Sequence, residues 1–409
     1  MTRKDTLTTT TVSPDDFHRL VDELDPLFVD RRVALDVMVL ALVAKTHALL
    51  LSTPGTAKSM LIEQMLARLE GARLFKLLFD KFEAKDALFG PPSIPSLTQG
   101  VRRREYQGYA PTADVIFLDE IWKGSEAASN SLLELVNERL FLDGHTKITV
   151  PLHTVFAASN ELPEPSNNTL RAIYDRFPLR VWIDQLTDPQ QMLALLDLAP
   201  PPADPDPVMT WAQVQEATRQ SRLLPVGPEA KQDLVNLLAK LLPTGVQLSG
   251  RRMRQAVEIA QANAWLRGDD KVRTDHLDFL IHFLWDQPEQ RKDVRTAVLD
   301  IAAPGRAKAV ALTDIVAGCL VTLREIKELA KGPDRDRAFM DLDRRLKRAA
   351  AQAAEIEKDL TGSALAEVND AWVHIERLYS EAQINGFDLE EDDVFDLKKR
   401  ARQGKYDRL

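Results

Sequence analysis

Short apolar runs and amphipathic segments alternate along the first half of the chain. Largely apolar runs occupy residues 48–51, 115–118 and 154–159, and each has the length expected of a strand that is buried on both faces. Segments with helical periodicity lie between these runs. Strands that alternate with helices in this order predict a parallel α/β sheet.

The pattern predicts two more strands and two hairpins in the same region. The strands are Leu74–Phe79 and Leu179–Ile183, and the second of them ends the α/β region. Glycine and other turn residues punctuate the segments 96–109 and 140–150, so each of these is predicted as a small hairpin.

Changes in composition divide the chain into five segments. Residues 1–12 are rich in Thr and are predicted to be disordered. An α/β core is predicted at 13–198, and a run with five prolines in nine residues predicts a linker at 199–207. Helical patterns beyond this run predict an α-helical lid at 208–286 and an additional α-helical C-terminal region at 287–409.

The last of these segments carries apolar side chains at helical spacing, and we find no catalytic arrangement of residues in it. The spacing is clearest at Leu312, Ile315, Val316 and Cys319. The segment is therefore expected to form a helical hairpin or bundle.

Composition and charge narrow the class of protein. The chain has 409 residues, of which 44% are hydrophobic and 28% charged, as in a soluble globular protein with two or three domains. A net charge of −9 argues against a nucleic-acid binder, and the single cysteine excludes an internal disulfide. The longest apolar stretch, Val33–Ala44, contains Asp36 and is too short to span a membrane. Because the start of the chain lacks an apolar signal segment, we expect a cytoplasmic protein.

The first buried strand leads into a tight loop that opens a helix. The loop consists of Ser52, Thr53, Pro54, Gly55, Thr56, Ala57, Lys58 and Ser59. In such a loop the backbone N–H groups surround phosphate oxygens, the lysine reaches the outer phosphates, and the serine hydroxyl holds Mg²⁺. Ser52 and Ala57 stand where the usual Gly-x4-Gly-Lys-Ser/Thr pattern has glycine. Taken alone, the loop fits an ordinary Pro-Gly turn as well as a nucleotide site.

Polar residues also follow the next two buried strands. Asp119 and Glu120 end the run at 115–118, and Asn160 follows the run at 154–159. Ligands of parallel α/β sheets bind at the carboxyl ends of the strands. There, Asp119 is expected to hold the Mg²⁺ water shell, and Glu120 to activate the attacking water. An amide at Asn160 is placed to orient that water or to sense the γ-phosphate, although an isolated Asn at a strand end is more often a turn residue.

Four segments, STPGTAKS, VIFLDEIWK, AASNELPEP and AIYDRFPLR, occur in this order and at spacings that resemble the MoxR family of AAA+ ATPases, most closely its RavA-like branch. The resemblance implies an AAA+ P-loop core with a parallel sheet, ATP and Mg²⁺ as cofactors, and metal contacts from Ser59 and Asp119. It implies that Asp119 and Glu120 form the Walker B pair and that Asn160 is sensor 1.

The same resemblance assigns roles to arginines and to the quaternary structure. It makes Arg176 the arginine finger and Arg251 the sensor 2 residue, with Arg252 as the alternative. It further implies a homo-oligomeric ring, a hexamer, often with a partner that carries a von Willebrand factor A domain. The predicted hairpins at 96–109 and 140–150 match insertions that face the pore of such rings.

Three functions remain open at this point. The first is an oligomeric ATPase that remodels, activates or inserts a cofactor into a protein partner. The second is a nucleotide-switched binding scaffold that acts through its helical C-terminal region. The third, a nucleic-acid motor, rests on the run Arg102–Arg104 and is opposed by the acidic net charge. Glu120 favours the first, since a pure switch needs no positioned base.

Overall fold

The computed structural model describes residues 11–80, 85–98, 100–101, 103–143, 146–246, 248–360, 362–387 and 397–402. The chain divides into two compact units, Met1–Val294 and Arg295–Leu409. The prediction of disorder at 1–12 falls mostly outside the described residues.

The strands of the first unit are β1 Ala48–Ser52, β2 Leu69–Glu70, β3 Leu74–Leu78, β4 Val115–Asp119, β5 Leu140–Asp143, β6 Thr146–Thr149, β7 Thr154–Ser159, β8 Leu179–Ile183 and β9 Met209–Thr210. Its helices are α1 Pro14–Leu24, α2 Arg32–Ala44, α3 Lys58–Leu66, α4 Lys85–Phe89, α5 Ile94–Thr98, α6 Glu126–Glu138, α7 Asn168–Tyr174, α8 Pro189–Leu196, α9 Trp211–Ser221, α10 Pro228–Leu241 and α11 Gly250–Leu266. A 3₁₀ segment covers Thr274–His282, and α12 Arg291–Ala302 begins in the first unit and continues into the second.

A five-stranded sheet with the order β3-β4-β7-β1-β8 forms the centre of this unit. All of its pairings are parallel, which confirms the predicted parallel α/β fold. The central strands β1 and β7 are buried along their whole length, because helices cover both faces of the sheet. The order places the carboxyl ends of β4, β7 and β1 side by side.

Helix α2 lies between the sheet and the lid helices, and it is apolar on nearly all sides for that reason. Its carbonyl group at Leu42 has two polar neighbours. His153 Nε2 lies 2.8 Å from this oxygen, and the Thr218 hydroxyl of α9 donates to it at 3.3 Å. Burial lowers the pKa of His153 to about 4, so the imidazole is neutral near pH 7. The lid helices therefore pack directly on the core.

The segment after the predicted linker is fixed to the core by a short pairing. Residues 199–207 contain neither helix nor strand, and β9 then pairs in parallel with β2. Within the linker, the Pro202 carbonyl accepts a hydrogen bond from Gln64 Nε2 of α3 at 2.9 Å.

Asp286 joins the lid to the sheet. Its Oδ1 accepts hydrogen bonds from Arg180 Nη1 of β8 at 2.7 Å and from Arg252 Nη1 of α11 at 2.8 Å. The two arginine side chains are only 1% and 6% exposed, whereas Asp286 is 37% exposed. The Arg180 guanidinium also lies 4.0 Å from the centre of the Tyr174 ring. One carboxylate thus compensates two buried positive charges.

Asp286→Ala is expected to lower the free energy of unfolding of the first unit by about 2–3 kcal/mol, because it leaves two guanidinium groups buried without their carboxylate. The expected loss is smaller than the cost of about 3–5 kcal/mol for breaking a fully buried ion pair, because Asp286 is partly exposed to water. Urea unfolding would measure it. Asp270→Ala, which removes an 85% exposed partner of Arg273, is the control and should change stability by less than about 0.5 kcal/mol. Equal effects of the two variants would contradict the assignment.

The two predicted hairpins have different outcomes. Strands β5 and β6 form the antiparallel pair expected within 140–150, and their turn at 144–145 lies outside the described residues. The prediction for 96–109 is wrong as drawn, because α5 occupies its first part. Pro95 lies in the first turn of α5, where its missing N–H costs nothing. The antiparallel contact is instead a single bridge between Pro92 and Arg104.

The three-arginine run is only partly described, since Arg102 lies outside the described residues. Arg104 is held inside the fold. Its Nη1 donates to Asp86 Oδ1 at 2.6 Å and its side chain is 17% exposed. A guanidinium with this partner stabilises the segment and is poorly placed for binding nucleic acid.

The second unit is helical, as predicted. It contains α13 Pro304–Glu328, α14 Pro333–Ile356, α15 Gly362–Phe387 and α16 Leu397–Arg402. Leu312, Val316 and Cys319 of α13 enter its apolar core, in which Trp372 of α15 is fully buried. Ile315, predicted on the same face, is instead 37% exposed. None of the helices among the described residues is both long and apolar enough to cross a lipid bilayer.

Candidate nucleotide site

The loop after β1 has a left-handed backbone conformation at two positions, Gly55 and Ala57. Gly55 has φ +83°, and no atom lies within 4 Å of the position that a Cβ would take. Ala57, which replaces a glycine of the usual pattern, has φ +64°. An alanine in this left-handed region costs roughly 1–2 kcal/mol, so surrounding contacts must stabilise the loop.

Ser52, the other departure from the pattern, is compatible with the loop because it is still part of β1. Its backbone pairs with Ile183 of β8 and needs no glycine-like conformation. Its hydroxyl donates to Thr53 O at 2.8 Å, accepts from Lys58 Nζ at 2.6 Å, and contacts the Thr56 hydroxyl. Serine therefore adds contacts that hold the lysine and the loop together.

The start of α3 leaves donors available for a ligand. Among the described residues, no acceptor is hydrogen-bonded to the backbone N–H groups of Ala57, Lys58 or Ser59. These groups lie at the positive end of the α3 dipole. Free N–H groups at a helix N-terminus suit phosphate oxygens.

Lys58, Asn160 and Glu120 form a chain of hydrogen bonds at the carboxyl ends of β1, β7 and β4. Lys58 Nζ donates to Asn160 Oδ1 at 2.6 Å, and Asn160 Nδ2 donates to Glu120 Oε1 at 2.6 Å. Burial lowers the pKa of Lys58, while Glu120 and Asp119 act in the opposite direction. The three side chains predicted to contact the phosphate, the water and its proton are thus adjacent.

The two predicted Mg²⁺ contacts also touch each other. Ser59 Oγ donates to Asp119 Oδ2 at 2.6 Å, and Asp119 Oδ1 accepts from the Glu120 backbone N–H at 3.0 Å. A hydroxyl and a carboxylate offer the hard oxygen ligands that Mg²⁺ prefers. Free N–H groups, a lysine and this oxygen pair together fit ATP with Mg²⁺.

Arg176 and Arg251 lie at the amino ends of the strands, opposite the carboxyl ends where the loop after β1 lies. Arg176 precedes β8, whose first residue pairs with Ala48 at the amino end of β1. A strand of five residues is about 16 Å long, so Arg176 is separated from the loop after β1 by the length of the sheet. Both arginines contact the end of α6: Arg176 Nε and Arg251 Nη1 donate to Asn137 Oδ1 at 2.8 and 3.2 Å.

Arg252 has a different environment from its neighbour. It is 6% exposed and bound to Asp286, and its Nη2 donates to Phe283 O at 2.8 Å. Arg251 belongs to an exposed surface at the first turn of α11. Of the two sensor 2 candidates, Arg251 alone has a guanidinium placed for an external ligand.

A protein-family model described as "MoxR domain in the MoxR-vWA-beta-propeller ternary systems" matches residues 15–204, and one described as "AAA lid domain" matches residues 231–298. A protein of Methanocaldococcus jannaschii is 32% identical over 285 residues, which cover 69% of this chain and 75% of the relative. The chain belongs to the MoxR family of AAA+ ATPases.

Two further relatives of this MoxR-family protein have lower identity or lower coverage. An uncharacterized protein of Bacillus subtilis is 26% identical over 287 residues, covering 66% of this chain and 86% of the relative. A structural protein of Acidianus two-tailed virus is 30% identical over 171 residues, covering 41% of this chain and 28% of the viral protein. The crystal structure of a putative ATPase from Cytophaga hutchinsonii superposes with a TM-score of 0.57 at 16% identity, covering 70% of this chain and 94% of that one. This last similarity supports the fold.

Two residues that contact the loop of this MoxR-family protein were not predicted. Arg31 Nε donates to Thr56 O at 3.3 Å from the start of α2, and Gln185 Nε2 donates to Thr53 Oγ1 at 3.0 Å from the segment after β8. Both lie far from the loop in sequence and belong to no motif. The signal available for Gln185 was its position just after a predicted strand of the sheet.

Proposed function

We propose that this protein hydrolyses ATP with Mg²⁺ and works as a homo-oligomeric ring, hexameric by its resemblance to the family, that remodels or activates a protein partner. The observation that carries the proposal is the chain from Lys58 through Asn160 to Glu120, with Ser59 and Asp119 beside it. It combines a phosphate contact, a water-orienting amide, a base and two metal contacts.

Each side chain has a distinct task in this proposal. Lys58 exchanges the oxygens of Ser52 and Asn160 for phosphate oxygens, which frees Asn160 to orient water. Glu120 then accepts a proton from that water as the water oxygen bonds to the γ-phosphorus and the bond from this phosphorus to the ADP oxygen breaks. Ser59 and Asp119 would hold Mg²⁺, which would neutralise charge on the phosphates.

The partner is proposed from the family. The matching family model describes MoxR domains of systems with a von Willebrand factor A protein and a β-propeller. We therefore propose a partner with a von Willebrand factor A domain and a protein substrate in the cytoplasm. Cofactor insertion is one form such activation takes, and membership of the RavA-like branch remains a prediction.

A second candidate is the nucleotide-switched scaffold. It is favoured by the second compact unit, which has its own apolar core around Trp372 and so offers a binding module distinct from the ATPase core. The position of Glu120 next to Asn160 still favours hydrolysis, because a scaffold has no use for a base at this place.

Lys58→Ala is expected to weaken ATP binding by at least about 100-fold, or about 2.7 kcal/mol, because it removes the side-chain cation that faces the outer phosphates. Isothermal titration calorimetry with ATP and Mg²⁺ measures this change. Lys76→Ala, which alters an exposed lysine paired with Glu63, is the matched control and should bind ATP like the wild type. Unchanged binding by Lys58→Ala would contradict the phosphate-site assignment.

A further inference from the structure

We propose that Asn137 is a positioning residue that holds Arg176 and Arg251 together, so that both reach a nucleotide bound by a neighbouring copy of the chain. The inference rests on the proposed ATPase function. Three elements meet at the Asn137 amide oxygen: the last turn of α6, the segment after α7, and the first turn of α11.

The charges of this cluster are unbalanced. Two guanidinium groups approach one neutral oxygen. Among the described residues, Asp175 is the only carboxylate that forms an ion pair with either of them, through Arg176 Nη1 at 2.7 Å. Because both guanidinium groups donate to the same Asn137 oxygen, at 2.8 and 3.2 Å, they lie close to each other. Burial and then the charge of Arg176 lower the pKa of Arg251, and Asp175 acts in the opposite direction. An excess of positive charge on fixed donors favours the binding of an anion with several oxygens.

Stability of the fold does not explain this arrangement. Asn137 and Arg251 are exposed, and Arg176 is 17% exposed. Hydrogen bonds and ion pairs at the surface contribute little to stability. A cavity of about 330 Å³ along α6 leaves space beside the cluster. Its lining includes Asn130 and Asn137 and the carboxylates of Glu134 and Glu138.

The contacts leave each guanidinium partly available. Asn137 holds Arg176 through Nε and Asp175 holds it through Nη1, while Arg251 is held through Nη1 alone. The remaining N–H groups are fixed in direction before a phosphate arrives. Misplacing a catalytic group by about 1 Å costs up to about 100-fold in rate, so the loss of Asn137 should be visible in turnover.

The test compares two substitutions on the same helix. Asn137→Leu keeps the size of the side chain and removes the acceptor. Asn130→Leu is the matched control, because Asn130 lines the same cavity but accepts from Thr169 Oγ1 at 3.3 Å instead of from an arginine. Asn137→Leu should lower kcat by about 10- to 100-fold with unchanged ATP affinity. Asn130→Leu should match the wild type.

A second measurement separates positioning from damage to the fold. Asn137→Leu and Lys58→Ala chains are co-expressed with different tags and purified through both tags. In mixed assemblies, an intact Asn137 from one chain faces an intact Lys58 from the next, so ATPase activity should exceed that of either variant alone. If the substitution instead damaged α6 and the catalytic site of the same chain around Glu120, a partner chain could not restore that site. The mixture would then show no gain in activity.

The proposal is overturned if Asn137→Leu turns over ATP like the wild type. It is also overturned if its mixture with Lys58→Ala gains nothing while a mixture of Arg176→Ala with Lys58→Ala does. Failure of the proposed function looks different, because wild-type protein would then show no ATPase activity that depends on Lys58.

Discussion

Arg176→Ala is expected to bind ATP normally and to hydrolyse it about 10³–10⁵ times more slowly, the range seen where a guanidinium stabilises the transferring phosphoryl group. The reason is geometric. Arg176 lies beyond the amino end of β8, whereas the Lys58 loop lies at the carboxyl end of β1. Since the two strands are parallel and in register, Arg176 and the loop of one chain lie at opposite ends of these strands. We therefore expect Arg176 to act on the nucleotide of a neighbour.

Steady-state ATPase assays and calorimetry separate the two effects of Arg176→Ala. Arg171→Ala in α7 is the control for loss of a nearby exposed arginine and should hydrolyse ATP at the wild-type rate. Doubly tagged assemblies of Arg176→Ala with Lys58→Ala should recover part of the activity. If both chains are present in the purified assembly and no activity returns, Arg176 acts within its own chain or only in structure.

Glu120→Gln should reduce kcat by about 10²–10⁴-fold, the usual contribution of a positioned general base, while ATP still binds. Glutamine retains an oxygen that accepts the hydrogen bond from Asn160 Nδ2, but an amide does not take a proton from water. A single-turnover assay with labelled ATP measures the chemical step directly. Glu161→Gln, an exposed carboxylate just beyond Asn160, is the control and should leave the rate unchanged. Normal turnover by Glu120→Gln would remove this residue from the mechanism.

The same variant distinguishes the two candidate functions. A remodelling ATPase with stalled hydrolysis should retain its protein partner in the presence of ATP. A scaffold that responds only to bound nucleotide should exchange its partner equally well with Glu120 or glutamine at this position. Capture of the partner by the tagged variant, compared with the wild type, measures the difference.

The strands, and the polar residues at their carboxyl ends, were predictable because each is marked by a short local pattern in the sequence. A buried parallel strand is a continuous apolar run, and its last residue marks the edge where ligands bind. Asp119, Glu120 and Asn160 follow directly from this rule, and the order of the strands then brings them to Lys58.

Long-range contacts were not predictable in the same way. The exposure of Ile315, for example, depends on which helices surround α13. The meeting of Arg176 and Arg251 at Asn137 joins residues that are separated by up to 114 positions. No periodicity or spacing in the sequence indicates such a meeting.

Within one chain, strand β8 connects Arg176 with the phosphate loop. Its amino end follows Arg176, and its carboxyl end leads to Gln185, which is bonded to Thr53 of the phosphate loop. A strand that is hydrogen-bonded within a sheet bends little and tends to shift as a unit. In a ring, phosphate release from one subunit would shift its phosphate loop slightly. Through β8, this shift would move the Arg176 guanidinium of the same subunit relative to the nucleotide site of the neighbouring subunit.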